Sequence, residues 1–206
     1  MGRTSNADQR LMDAALYLLW GESYGSVTID DICKRADVRK GSFYHFFESK
    51  SDLAVRALDC MWIEHKPQLE EMFAPSIPPL ERIRNTCNAT YAMQVELKEK
   101  YGRVLGCVMC ALGSEIGNRD DAIRDKVREL LDEVRSFWVT AIADAQDAGL
   151  VEAGDITCKV RCAMAVSEGL VAQARLHNDL NLIEDLADRV CEHLQARKPV
   201  PVSLAG

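Results

Sequence analysis

At 206 residues, with 48% apolar and 28% charged side chains, the chain suits one sizeable domain or two small ones sharing a core. No apolar run approaches the roughly 20 residues needed to cross a bilayer, and the first ten residues lack the apolar stretch of a signal peptide, so the expected location is cytoplasmic, with no membrane partner. The net charge of −7 argues against a nonspecific nucleic-acid coat, yet residues 1–50 hold seven Lys/Arg and seven Asp/Glu, so all the excess acid lies beyond residue 50.

Apolar residues recur at helical spacing almost throughout, which predicts an all-α fold. Leu11, Ala14, Ala15, Leu18 and Leu19 trace one stripe of a first helix. Gly25 and Ser26 interrupt the pattern, and Thr28 with Asp31 three residues later predicts a capping box for a short helix over about 28–36. A turn at 37–38 leads to a third helix over about 39–45. Ser49, with Asp52 three residues on, opens a fourth carrying Leu53, Ala57, Leu58 and Met61, which Pro67 is expected to kink or end.

"APSIPP" at 74–79 reads as a linker. Beyond it the pattern predicts helices over about 79–100, about 106–116 and from near Asp120. "DAGLVEAGD" (147–155) ends the last of these with glycine and restarts with an Asp155 cap. Two further helices follow, about 156–178 and then Asn181 to about Ala196, with Asn181 and Glu184 as a capping pair. The expected total is about nine helices, and residues 199–206 read as a frayed, flexible tail.

Two short helices joined by a tight turn on a longer preceding helix describe a helix-turn-helix. Its second helix lies in "RADVRKGSFYHFFESKSDL" (35–53), dense in both aromatics and cations. Helical spacing puts Phe43 and Phe46 or Phe47 inward. Arg39, Lys40, Ser42, Tyr44 and His45 then face outward, as donors for phosphates and bases. Gly41 leaves a bare surface for a close backbone approach. Thr28 and Lys50 lie at helix N-termini, which favour anions.

The stretch "VTIDDICKRADVRKGSFYHFFESKSDLAVRAL" (27–58) closely resembles the DNA-binding domain of the tetracycline-repressor (TetR) family, with the likeness spanning about residues 8–58. That resemblance implies an HTH domain over 1–50 and an effector-binding and dimerisation domain over 51–198. Thr28, Tyr44, His45 and Lys50 would contact phosphates, Arg39, Lys40 and Ser42 would meet base edges, and Arg3 would enter the adjacent minor groove. Asp37 stands where the family usually has the turn glycine, and Asp tolerates a left-handed backbone better than most residues. Arg39 replaces the usual Ser or Thr cap, gaining a cation at about 1 kcal/mol of local stability.

The resemblance further implies a transcriptional regulator, usually a repressor, that acts as a homodimer on a palindromic operator in double-stranded DNA. The dimer would form through helices 156–178 and 181–196, with Val160, Met164, Ser167, Leu170, Val171 and Ala174 facing Ile183, Leu186, Val190 and Leu194. A small-molecule effector, apolar or aromatic, would suit a pocket of Trp62, Tyr91, Met93, Met109, Phe137, Trp138 and Met164. "YGRVLGCVMCALGSEIG" (101–117) resembles the Gly-Cys segment of a TetR subgroup that includes electrophile and oxidant sensors. Cys107 at a helix start, with Cys110, is therefore a candidate thiol switch; the alternative is a pair of inert core thiols.

No cofactor is expected. Cys158 and Cys162 lack a four-ligand partner set, so no metal site is assigned. The phosphate-gripping glycine loop, zinc-protease helix and nucleophile elbow of common enzyme classes are absent from the sequence. The expectation is a non-enzyme; the rival readings are a thiol-based redox enzyme built on Cys107 and Cys110, and a non-DNA adaptor using the same helical corner.

Overall fold

A computed structural model describes residues 6–196, which form nine α-helices and one 3-10 turn, with no strand among the described residues. The helices are α1 (Ala7–Gly21), α2 (Ile29–Ala36), α3 (Lys40–Phe46), α4 (Lys50–Met72), α5 (Pro79–Tyr101), α6 (Val108–Ile116), α7 (Asp121–Asp147), α8 (Ile156–His177) and α9 (Leu186–His193). None of them is long and apolar enough to cross a membrane. The all-α expectation holds, and so do the first eight helices.

The described chain divides into two compact units, 6–68 with 105–133 and 69–104 with 134–196. In the first, α1 packs on α2, α3 and α6. Its interior contains Leu11, Leu19, Ile32, Phe43, Phe47, Leu53, Leu58, Leu112, Ile123 and Leu130, all essentially fully buried. Gly113 of α6 lies so near α7 that a Cβ there would come 3.0 Å from Val127.

α4 does not end at Pro67 but runs on to Met72. The proline removes the N–H that would bond the carbonyl of Ile63, and both Ile63 and Pro67 are exposed, so water can satisfy that carbonyl.

The second unit is organised around α5, the later part of α7, α8 and α9. Its core includes Ile83, Trp138, Ile142, Val160, Ala163, Val171, Ile183, Leu186 and Val190. Pro79 opens α5, where its missing N–H has no helical partner to lose. The preceding 74–78 segment is pinned rather than loose. Arg82, 4% exposed, donates to Ile77 O at 2.8 Å, Pro75 O at 3.1 Å and Asp144 Oδ2 at 2.6 Å.

The chain after α8 departs from the expected helix over 181–196. Asn178 ends α8 in the left-handed region, and Asp179, not Asn181, supplies the cap by accepting from Asn181 N at 3.0 Å. That cap opens only the 3-10 turn Leu180–Ile183. Asp185, at φ −106° and ψ 21°, leaves helical geometry before the eight-residue α9.

The seam expected between two copies lies within one chain. Val160, Val171 and Ala174 of α8 and Ile183, Leu186, Val190 and Leu194 all belong to the second unit's buried core, with Met164 and Leu170 packed partly against it. The heptad-like spacing identified a buried face but could not say which chain buries it. The outer face of α8 instead carries exposed Ala165 and Ala172, Gly169 with open space at its Cβ position, and Leu176 at 81% exposure.

Replacing Arg82 leaves two linker carbonyls without their charged donor. Arg82→Ala is expected to lower unfolding free energy by about 2–4 kcal/mol, read as a lower urea midpoint with little change in slope.

Candidate nucleic-acid interface

The candidate surface begins at the capping box of α2. Thr28 Oγ1 accepts from Asp31 N at 3.2 Å, and Asp31 Oδ2 accepts from Thr28 N at 2.9 Å. The Thr28 hydroxyl donates to the same carboxylate at 2.6 Å, and these bonds hold the Asp31 carboxyl below the usual range. α2 ends where Asp37 takes φ 52° and ψ 49°. Val38 N bonds Cys33 O at 3.0 Å and Asp37 N bonds Lys34 O at 3.3 Å, a Schellman-type closure with Asp where glycine is common. Arg10 steadies it from α1, donating to Asp37 O at 3.3 Å.

α3 has seven residues, and Arg39 at its N-cap makes no side-chain cap bond. Its stability comes from the inner face. Phe43 is 0% exposed and Phe47 2%, with ring centroids 5.7 Å apart. Tyr44 meets Phe43 edge-on at 5.1 Å while remaining 57% exposed. Arg39, Lys40 and His45 are also exposed, Ser42 is half-buried, and nothing lies within 4 Å of the Cβ position at Gly41. Phe46 is only half-buried, so Phe43 and Phe47 form the inward pair.

Two of the expected cations are already engaged. Lys40 Nζ lies 3.0 Å and 2.9 Å from the two carboxylate oxygens of Asp30 on α2, and that bond raises its pKa. Lys50 Nζ donates to Tyr24 O and Val27 O, both at 2.7 Å, and sits 4.1 Å from the Tyr24 ring centroid. Burial lowers the Lys50 pKa, opposed by the charge of Glu115. An ammonium has three hydrogens, so one Lys50 donor remains beyond the two carbonyls. Arg3 lies outside the described residues, as does the 199–206 tail.

Two acids that carry part of this arrangement are not legible as local motifs. Asp30 is ten residues from Lys40 on a different helix. Glu115, near the end of α6, accepts from Ser23 Oγ at 2.5 Å, Tyr24 N at 2.9 Å and Gly25 N at 3.0 Å. Burial pulls its pKa up, but the bonds from Ser23, Gly25 and Tyr24, aided by Lys50, outweigh that and hold it below the usual range.

The expected effector residues are distributed between the units. Trp62 and Met109 belong to the first, where Trp62 Nε1 donates to Glu133 at 3.0 Å. Trp138 is buried in the second unit's core, with Tyr91, Phe137 and Met164 packed partly against it and Met93 half-buried on α5. Cys107 is the N-cap of α6, as its position after Gly106 suggests. Its thiol and that of Cys110 lie within 4.8 Å of each other, and both residues are only partly buried. Cys33, Cys87 and Cys191 are buried, and burial pushes the Cys87 thiol up to about 12. Cys158 and Cys162 are partly buried on α8, with Arg161 Nη2 3.7 Å from Cys158 Sγ.

Comparison with known proteins gives the same picture along most of the chain. The family described as "Bacterial regulatory proteins, tetR family" matches residues 11–57, and "Tetracyclin repressor-like, C-terminal domain" matches residues 79–190. The chain is 31% identical over 150 residues to the transcriptional regulator AcuR of Cereibacter sphaeroides, covering 72% of this chain and 67% of that protein. It is 23% identical over 116 residues to the HTH-type transcriptional repressor NemR of Escherichia coli K12, covering 56% and 57%. A crystal structure of regulatory protein TetR from Rhodobacter sphaeroides superposes with a TM-score of 0.80 at 28% identity, covering 92% of this chain and 99% of that one.

The buried rings set a stability prediction. Phe43→Ala should cost about 3–5 kcal/mol, measured by urea unfolding, because it opens a void directly behind α3.

Proposed function

The chain belongs to the tetR family of bacterial regulatory proteins, and from that membership we propose that it reads a palindromic operator as a homodimer and leaves it when a small effector binds. The observation carrying this reading is α3 itself, whose exposed Arg39, Lys40, Tyr44 and His45 stand on a helix braced from behind by Phe43 and Phe47. Arg39, Lys40 and Ser42 are assigned to base edges, while Thr28, Tyr44, His45 and the remaining donor of Lys50 are assigned to phosphates. Residues 1–50 are taken as the reading head and 51–198 as the effector-binding and dimerising body. The expected location is cytoplasmic.

A single head touches too few bases to select one site in a genome. The twofold contact is assigned to the outer face of α8, where Ala165, Gly169, Ala172 and Leu176 recur at spacings of four, three and four. Small residues at that spacing let a symmetry-related helix approach closely. The two heads then address half-sites about 34 Å apart, or a multiple of that spacing.

The effector is assigned to the aromatic and methionine-rich interior of the second unit, with Tyr91, Met93, Phe137, Trp138 and Met164 as lining candidates. An apolar or aromatic compound suits that composition. It acts by preferring the body conformation in which the heads no longer match the operator. A second reading rests on Cys107 and Cys110, which are partly exposed and near each other at the start of α6. Their modification by an electrophile or oxidant is a route to the same release.

Mobility shifts on DNA from the gene's own upstream region, with random competitor, test the reading. Tyr44→Ala should weaken binding to every sequence, whereas Lys40→Ala should lose preference at particular bases, at about 1–3 kcal/mol of discrimination. Equal losses by Lys40→Ala on operator and random DNA would remove its base-reading role. Leu176→Asp should convert a sedimenting dimer to monomer and abolish tight operator binding; an unchanged dimer refutes the α8 face. Release by N-ethylmaleimide should disappear in Cys107→Ser, and its persistence rules out the thiol route through that residue.

A further inference from the structure

The turn at Ser23–Val27 joins α1 to the Thr28 cap of α2, so its conformation sets where the helix-turn-helix begins. Two charged side chains far away in sequence grip it. From α6, Glu115 accepts from the Ser23 hydroxyl and from the backbone N–H groups of Tyr24 and Gly25, at 2.5, 2.9 and 3.0 Å. From the start of α4, Lys50 donates to the carbonyls of Tyr24 and Val27, both at 2.7 Å. The carboxylate takes the turn's donors and the ammonium takes its acceptors. Within the turn, Gly25 N also donates to Ser23 Oγ at 3.1 Å, and Ser26 N and Val27 N bond Ser23 O at 3.0 and 3.1 Å.

We infer that Glu115 is a positioning residue for DNA reading, which, with Lys50, clamps the Ser23–Val27 turn and so holds α2 and α3 in their binding geometry. The inference rests on the DNA-reading proposal above and adds a residue that no contact with DNA would reveal. Glu115 is not a candidate for touching phosphate, because its charge would repel it. Its contribution is to the fraction of molecules whose head is ready to bind, and apparent affinity scales with that fraction. Replacing Glu115 alone therefore weakens operator binding without removing any phosphate contact, so the salt dependence is retained.

Four variants of the full-length protein, the Ser23→Ala single change among them, test this, all checked by circular dichroism melting. Glu115→Ala should weaken operator binding about tenfold with an unchanged slope of log affinity against log salt. In the same variant the Tyr24 and Gly25 amides should lose hydrogen-exchange protection. Glu115→Gln, which keeps an acceptor, should recover part of the affinity. Ser23→Ala combined with Glu115→Ala should lose less than the two single changes multiplied together, because both remove the same contact.

Wild-type operator affinity in Glu115→Ala, with the Tyr24 and Gly25 amides deprotected, overturns the positioning role while leaving DNA reading intact. Unaltered exchange at those amides overturns the clamp itself. Absence of site-specific binding by the wild-type protein overturns the DNA-reading proposal and this one with it.

Discussion

The burial of Phe43 and Phe47 is the interaction on which the proposed recognition surface depends. A seven-residue helix nucleates unfavourably and does not persist in water on hydrogen bonds alone, and α3 lacks even a side-chain cap at Arg39. Two rings with almost no exposed surface fasten it to the interior. Because the inner face is fixed in this way, the outer face is free to carry Arg39, Lys40, Tyr44 and His45. α2 uses the opposite means. It is also short, eight residues, but Thr28 and Asp31 satisfy its first orphan donors locally, and the Asp37 turn satisfies carbonyls at its other end.

The same division of labour recurs in the charged side chains. Cations on the outer face of α3 are exposed, whereas Lys50 is drawn to backbone carbonyls and Arg82 is buried among three acceptors. An arginine fork can satisfy several carbonyls at once and does not shed its proton, which suits it to a buried position. Arg82 thereby turns a proline-rich segment into a fixed connection. Its neighbours Pro75 and Pro78 explain why the segment is not helical, but not why it is ordered.

Much of this was legible in the sequence because it is local. The stripe of α1, the capping box of Thr28 and Asp31 and the inward Phe43 follow from spacings of a few residues, while the left-handed Asp37 follows from the family resemblance at the turn and the choice of Phe47 over Phe46 needs the fold. What was not legible depends on distance or on competition between near-equal local choices. Asp179 and Asn181 are both competent caps, and the folded chain uses Asp179 and then breaks at Asp185, which shortens the expected last helix to α9. The apolar rows of α8 and α9 do face each other, as their periodicity suggests, but within one chain, since periodicity cannot distinguish a core from a symmetric contact. Glu115 lies some ninety residues from the turn it grips, and no pattern in a single sequence ties the two together.

If Lys40 reads base edges as proposed, its pairing with Asp30 has a kinetic consequence. A lysine already neutralised by a carboxylate gains little from an arbitrary phosphate, because taking a new partner means leaving the old one. It gains fully only where the groove presents an acceptor good enough to compete, so the exchange favours the right sequence over the merely anionic one. Under the proposed reading, a head wired in this way would hold on weakly while scanning and linger at its target, which would keep an acidic protein from being stranded along the chromosome.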